Sequence, residues 1–120
     1  MNMTLNEYQL RAMSTCMPTC DNFSYMSLGL MGEIGELTGK IAKHIRKGNI
    51  VISDNEMRVT DAFTQEDADA LIAELGDCCW FIAGLAHALG QPLEDVAQAN
   101  LDKLASRQAR NVIDGDGDNR

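Results

Sequence analysis

Two pairs of acidic residues are the part of this sequence with the clearest chemical meaning. Glu33 and Glu36 are three positions apart, and Glu74 and Asp77 repeat that spacing. On a helix, residues three positions apart lie on the same face, so each pair can direct its carboxylates towards one point. Like charges this close are unfavourable unless a cation lies between them. The spacing therefore indicates a metal site, although one such pair alone is more typical of a solvated helix face.

The two acidic pairs also share their local sequence. The order acid, apolar residue, glycine, acid begins once at Glu33 and again at Glu74. If the two segments are helices that pack antiparallel, four carboxylates can face one another across their interface. Oxygen ligands of this kind suit Mg²⁺ or Mn²⁺, whereas Zn²⁺ favours His and Cys. We therefore expect Glu33, Glu36, Glu74 and Asp77 to bind a divalent cation.

Hydrophobic periodicity predicts that both pairs lie on long helices. Across residues 24–46, apolar side chains recur at steps of three and four, and the two glutamates lie along the edge of that stripe. The stripe consists of Leu30, Ile34, Leu37, Ile41 and Ile45. A second helical stripe runs over residues 71–89, and the second acidic pair lies beside it.

Local sequence signals predict where the first, third and fourth helices begin. Thr4 and Glu7 have the spacing of a capping box that begins the first helix, which Pro18 and the polar residues after it would end. The third helix is predicted to begin near Thr64, and Pro92 to open the fourth helix in its first turn. The sequence therefore predicts an all-α, four-helix protein.

The remaining segments interrupt or follow this pattern. Residues 49–63 predict either a small hairpin, with residues 50–52 against 57–59, or an ordered loop. Residues 114–120 are acidic and glycine-containing, which is typical of a flexible tail. We therefore expect a single helical domain over residues 1–113, with the 49–63 segment as an insertion.

Length and charge restrict the class of protein. A chain of 120 residues with a formal net charge of −8 is one domain, and it lacks the basic balance of a nucleic-acid-binding protein. No apolar run reaches the length of a membrane span, and the first twenty residues do not resemble a signal peptide. We expect a cytoplasmic protein with no nucleic-acid or membrane partner. Since four helices give a thin core, we also expect a homodimer or homotetramer.

Basic residues lie where a polyphosphate would need them. Lys40 follows Glu36 by one helical turn, and Asn100, Lys103 and Arg107 share one face of the predicted fourth helix. Cations beside metal-binding carboxylates suit a polyphosphate substrate, because they neutralise charge on the leaving pyrophosphate. The alternative is that these residues form intrahelical ion pairs or a solvated face.

The motifs together resemble the MazG-like nucleotide pyrophosphohydrolases. The resemblance rests on Glu33-x-x-Glu36 within a Leu-Gly-Leu-Met-Gly-Glu-Ile-Gly-Glu-Leu run, on Glu-Leu-Gly-Asp beginning at Glu74, and on the Asn100, Lys103 and Arg107 spacing. It covers residues 5–113. Two departures are a long spacer between the acidic pairs and Ala73, where an acid often precedes the second pair.

The resemblance implies an all-α fold with helices that pack across an oligomer interface. It also implies Mg²⁺-dependent cleavage of nucleoside triphosphates to monophosphate and pyrophosphate, with the four acids as metal ligands. We further expect these acids to be the catalytic groups, one of them as a general base. We expect Lys40, Lys103 and Arg107 to bind phosphate. Base or sugar contacts are expected from Asn22, Tyr25, Trp80 and Asn100. The alternatives are a narrow dUTPase or dCTPase, and a non-catalytic helical adaptor.

Overall fold

The computed structural model describes residues 2–119, and it is mostly helical. The four helices are α1 (Leu5–Met13), α2 (Phe23–Lys47), α3 (Gln65–Ala88) and α4 (Leu93–Ala109). A short 3-10 turn (Pro18–Cys20) precedes α2, and two strands, β1 (Ile50–Ser53) and β2 (Glu56–Val59), join α2 to α3. The prediction of an all-α, four-helix protein is confirmed, with the hairpin as a minor addition.

Capping boxes begin α1 and α3 at the predicted residues. The Thr4 hydroxyl accepts a hydrogen bond from the Glu7 backbone N–H at 3.0 Å, and the Glu7 carboxylate accepts one from the Thr4 N–H at 2.8 Å. Thr64 and Asp67 form the same reciprocal pair at the start of α3. Each box satisfies backbone donors that the first turn of a helix leaves without partners.

Two predicted helix boundaries are wrong. α1 ends at Met13, well before Pro18, because polar side chains take over the carbonyls of its last turn. The Ala12 carbonyl accepts hydrogen bonds from the Thr15 hydroxyl at 2.6 Å and from the Trp80 indole N–H at 3.1 Å. Pro92 is not in the first turn of α4 but is its N-cap residue, with extended backbone.

α2 and α3 form an antiparallel pair that carries the predicted acids. Met26 lies against Gly84, Gly29 against Phe81, and Lys40 against Glu74, so the partner numbers fall as α2 proceeds. A Cβ at Gly29 would overlap the Phe81 ring, so the missing side chain allows this close approach. The cost of glycine within α2 is therefore offset here by packing.

Side chains from α1 cap the start of α4. Gln9 Oε1 accepts a hydrogen bond from the Leu93 N–H at 2.9 Å, and Asn6 Oδ1 accepts one from the Glu94 N–H at 3.0 Å. The Gln9 amide also donates to the carbonyls of Ala83 and Gln91. Since Pro92 has no side-chain acceptor, α1 provides the cap that the local sequence lacks.

The hydrophobic core is small and much apolar surface is exposed. The buried cluster consists of Ala83, Ala86 and Leu93, with Tyr8 and Met13 packed against it. The large exposed side chains include Leu28, Met31, Ile72, Leu75 and Leu101. The radius of gyration is 17.7 Å, whereas a compact chain of this length has about 14 Å. The described chain is therefore more extended than a compact domain.

The 49–63 segment forms the hairpin rather than the unpaired loop. Ile50 pairs with Val59 and Ser53 with Glu56, antiparallel, across a turn at Asp54 and Asn55. Both turn residues have positive φ, 51° and 64°, as the tightest hairpin turns require. Ile50 is buried, whereas most of the other strand residues are exposed.

α3 is apolar enough for a membrane span by length and composition alone. Within residues 2–119 it is the one helix with this property, so the expectation that no apolar stretch reaches the length of a span is wrong by this criterion. Core helices of soluble proteins share the property, and the acids Glu74 and Asp77 lie in its middle. The predicted absence of a membrane partner stays a prediction, as does the flexibility of the 114–120 tail.

Candidate metal centre

Three carboxylates from two helices converge at the α2–α3 interface. One oxygen from each of Glu33, Glu36 and Glu74 lies within 4.8 Å of the others. The i, i+3 spacing stacks the first two on one face of α2, and the antiparallel pairing brings the third from α3. The sequence predicted this convergence, and the structure places these three predicted residues together.

Two of the three converging carboxylates, Glu33 and Glu74, are poorly solvated. The Glu74 side chain is only 12% exposed, Glu33 is half-buried, and Glu36 is exposed. Within residues 2–119, Oε2 of Glu33 and Oε2 of Glu74 are buried and have no hydrogen-bond partner. A buried carboxylate oxygen without a donor is unfavourable by itself. A cation between the carboxylates would remove that penalty.

The electrostatics of the cluster are those of crowded like charges. Burial raises the pKa of Glu33, and the charges of Glu36, Asp77 and Glu74 raise it further. Lys40 Nζ lies 3.5 Å from Oε1 of Glu74 and supplies one compensating charge. The predicted phosphate ligand Lys40 is thus at the edge of the acidic cluster.

Asp77 lies beside the three converging acids but is not one of them. It is exposed, and it is not among the three residues whose oxygens lie within 4.8 Å of one another. Its charge nevertheless contributes to the raised pKa of Glu33. Asp77 therefore contributes to the electrostatics of the cluster from one turn further along α3.

Thiols next to the acids were not anticipated as part of the site. Cys78 is buried. Burial raises the pKa of its thiol, and the charge of Glu33 raises it further. A hydrogen bond with Cys20 raises the pKa of Tyr25, whose exposed ring lies 5.9 Å from that of Phe81. The sequence pattern gives no signal that places Cys78 close enough to Glu33 for that charge to act on it.

Two of the predicted base or sugar contacts use their polar atoms within the fold. Asn22 caps α2, since its Oδ1 accepts from the Tyr25 N–H at 2.8 Å and its amide donates to the Thr19 carbonyl. The Trp80 indole N–H donates to the Ala12 carbonyl and to the Thr15 hydroxyl. Both side chains therefore have structural partners in this conformation.

The basic residues of α4 form a separate group. Asn100 and Lys103 line one shallow depression, and Lys103 and Arg107 both contact Asp118. Within residues 2–119, neither cation forms an ion pair with the clustered acids, because α4 packs against α1 and α3 rather than along the acidic face of α2. The structure thus brings Lys40, but not Lys103 or Arg107, to the acids.

Comparison with known proteins identifies the family. Residues 22–112 match the MazG nucleotide pyrophosphohydrolase domain, a range that includes α2, the hairpin, α3 and α4. The chain belongs to the MazG family. It is also 42% identical over 125 residues to the "Gene 37 protein" of Mycobacterium phage L5, an alignment that covers 98% of this chain and all of the relative. That name states no activity. No solved structure matches the chain.

The MazG match agrees with the acidic centre. Members of the MazG family are typically dependent on divalent metal ions, and the three converging acids lie within the matched range. All four predicted metal ligands and the basic residues of α4 are included, whereas α1 and the tail after Val112 lie outside it. The matched range therefore contains every acid of the cluster.

Proposed function

We propose that this MazG protein is an Mg²⁺-dependent nucleoside triphosphate pyrophosphohydrolase. It would cleave ribo- or deoxyribonucleoside triphosphates to the monophosphate and pyrophosphate, in nucleotide-pool housecleaning. The observation that carries the proposal is the convergence of Glu33, Glu36 and Glu74, with two buried carboxylate oxygens that have no partner in the described residues. Such a centre needs a cation, and the family acts on nucleotide pyrophosphate bonds.

The ligand set fits a hard cation. Glu33, Glu36 and Glu74 would hold Mg²⁺, or Mn²⁺ in its place, and Asp77 would complete the set from the same side of α3. When bound, the ion would neutralise phosphate oxygens and make a water molecule more acidic. The ligating group contains carboxylates alone, which disfavours Zn²⁺.

The side chains of this chain would have distinct tasks. Lys40 would pair with a phosphate oxygen, since it already lies beside the acids. One of the four carboxylates would accept the proton of the attacking water as the anhydride between the α and β phosphorus atoms breaks. Lys103 and Arg107 would hold other phosphate oxygens, and Tyr25, Asn22, Trp80 and Asn100 are the candidates for base and sugar contacts.

We further propose that the active form is a homodimer or homotetramer. Exposed Leu28, Met31 and Leu101 and the large radius of gyration support association. Association would also bring basic residues of α4 near acids that they do not contact within one chain. Sedimentation of the wild type and of Leu28→Asp tests this, because a charge at an apolar interface would dissociate the assembly while the exposed site tolerates it in the monomer.

The decisive experiment is a pyrophosphate-release assay on a panel of canonical and modified nucleoside triphosphates, with Mg²⁺ and with EDTA. We expect metal-dependent release with the matching monophosphate as product. Glu36→Gln should abolish turnover, whereas the matched Glu56→Gln on the hairpin should not change it. Release confined to dUTP or dCTP would identify a narrow enzyme. No release by folded, assembled protein would overturn the proposal in favour of a non-catalytic adaptor.

Other parts of the proposal follow from composition. The net charge of −8 disfavours a nucleic-acid partner, since phosphate backbones need a basic surface. We propose a cytoplasmic location and no membrane partner, with α3 as a core helix.

A further inference from the structure

The chain after α4 turns back on the helix that precedes it. Asn111 has a positive φ of 61°, and the Val112 N–H donates to the Arg107 carbonyl at 2.9 Å. These features form the left-handed type of helix end, which reverses the chain direction. A second reversal includes Gly117, with a φ of 77°. The tail therefore returns to the face of α4 that bears Lys103 and Arg107.

One carboxylate oxygen of the tail lies between the two cations. Asp118 Oδ1 accepts a hydrogen bond from Arg107 Nη2 at 2.9 Å and lies 3.3 Å from Lys103 Nζ. The Gly117 carbonyl also accepts from Nη2, at 3.3 Å. The two hydrogens on Nη2 are thereby used, and the tail provides the anion for this basic pair.

The arginine has more binding capacity than the tail uses. The Arg107 side chain is 6% exposed, whereas Asp118 is 82% exposed. Within residues 2–119, Nε of Arg107 is buried without a hydrogen-bond partner. A buried guanidinium needs a close anion, and one exposed carboxylate oxygen satisfies only part of its donor set. A phosphate group offers more oxygens and more charge than this carboxylate.

We propose that Asp118 is a built-in competitor for this anion site, occupying the Lys103–Arg107 pair until a polyphosphate displaces it. The inference rests on the proposed function only for the identity of the physiological anion, the triphosphate chain. An incoming anion can replace the exposed carboxylate, because water solvates the carboxylate as it leaves and Gly115 and Gly117 make the backbone permissive. Its covalent attachment keeps its local concentration on the order of millimolar, enough to weaken a free anion's apparent affinity.

The test is binding of inorganic tripolyphosphate to the full chain in EDTA, measured by calorimetry. Asp118→Asn should tighten binding by about threefold to tenfold, because the competitor is removed. Asp116→Asn removes the same charge two residues away, at a side chain with no ion pair among residues 2–119, and it should alter the affinity by less than about twofold. Equal or weaker binding by Asp118→Asn would overturn the proposal.

A second variant locates the binding site. Lys103→Gln, at a side chain that is 43% exposed, should keep the fold by circular dichroism and weaken tripolyphosphate binding in the Asp118→Asn background. Unchanged binding would overturn the assignment of the site, as would no binding by any variant. The assay contains no metal and no nucleotide, so it can fail while pyrophosphate release succeeds, and the reverse. Failure of the inference is thus separable from failure of the proposed function.

Discussion

Nζ of Lys40 lies 3.5 Å from Oε1 of Glu74, so an ammonium from α2 neutralises the acid that α3 contributes to the centre. α2 therefore supplies both signs of charge, since Glu33 and Glu36 lie on the same helix. A metal cation that enters the cluster is repelled by the nearby Lys40 ammonium. The metal affinity of the free protein should consequently be lower than the acids alone would give.

Removing that ammonium should strengthen metal binding. We expect Lys40→Gln to tighten Mn²⁺ binding in the absence of nucleotide by about fivefold. This is the effect on affinity of removing one unit charge that lies a few ångströms away in a solvated site. Calorimetric titration measures this. Lys43→Gln, which removes the same charge from the same helix, is the matched control and should change affinity less. Weaker Mn²⁺ binding by Lys40→Gln would show that the lysine orients the ligands.

Neutralising one crowded acid should stabilise the metal-free fold. Because the pKa of Glu33 is raised in the folded state, this group contributes stability below its unfolded pKa, and that contribution is lost as pH rises through the folded value. Glu33→Gln should therefore raise the melting temperature of the metal-free protein at pH 7 and reduce the loss of stability above about pH 4.5.

The same variant should lose stabilisation by metal. If Mg²⁺ binds the folded state as proposed, it should raise the melting temperature of the wild type by mass action, with little effect on Glu33→Gln. Glu56→Gln on the exposed hairpin is the control and should behave as the wild type. A metal-free Glu33→Gln protein that melts below the wild type at pH 7 would contradict the electrostatic account.

The close approach of α2 and α3 should be sensitive to one methyl group. Gly29→Ala places a Cβ into the Phe81 ring, and we expect a loss of about 1–3 kcal/mol from overpacking. Gly39→Ala is the matched control, because a Cβ there meets no atom within 4 Å. It should stabilise α2 by up to about 1 kcal/mol. Urea unfolding of both variants measures the difference, and equal effects would rule out the packing explanation.

The cap that α1 gives to α4 should have a measurable cost when removed. Gln9→Ala leaves the Leu93 N–H without its acceptor and releases the Ala83 and Gln91 carbonyls. We expect a loss of about 1–3 kcal/mol in the free energy of unfolding. Gln98→Ala, which removes an exposed i, i+4 hydrogen bond on α4, should cost only about 0.2–0.5 kcal/mol. Unfolding in urea compares them.

The acidic centre could be predicted from sequence because its determinants are local. Helical periodicity fixed the face on which Glu33 and Glu36 lie, and the repeated motif on α3 indicated their partner. The convergence of Glu74 followed from a single assumption, antiparallel packing. Thr4 and Thr64 could likewise be predicted as caps, because the backbone N–H groups that donate to their hydroxyls lie three residues along the chain.

The features that sequence reasoning missed depend on distant residues. Nothing near Pro92 shows that Gln9 caps α4 from more than eighty positions away. The bond from the Trp80 indole to the Ala12 carbonyl is equally long-range, so no local signal shows it. The early end of α1 has this cause only in part, since the nearby Thr15 hydroxyl also donates to the Ala12 carbonyl. Asn22 is different, since an Asn directly before a helical stripe is a recognisable N-cap, and that signal was available.

The hydrogen bonds by which Asn6 and Gln9 cap α4 also have a consequence for the order of folding. The α2–hairpin–α3 unit closes through neighbouring segments, whereas the bonds from α1 to α4 join residues 84 and 88 positions apart. Contacts of such high sequence separation form slowly, because a long loop must close first. We therefore expect the central pair to assemble early and α4 to dock last, when its first turn meets α1. On the ribosome, that final step must wait until synthesis has passed α4.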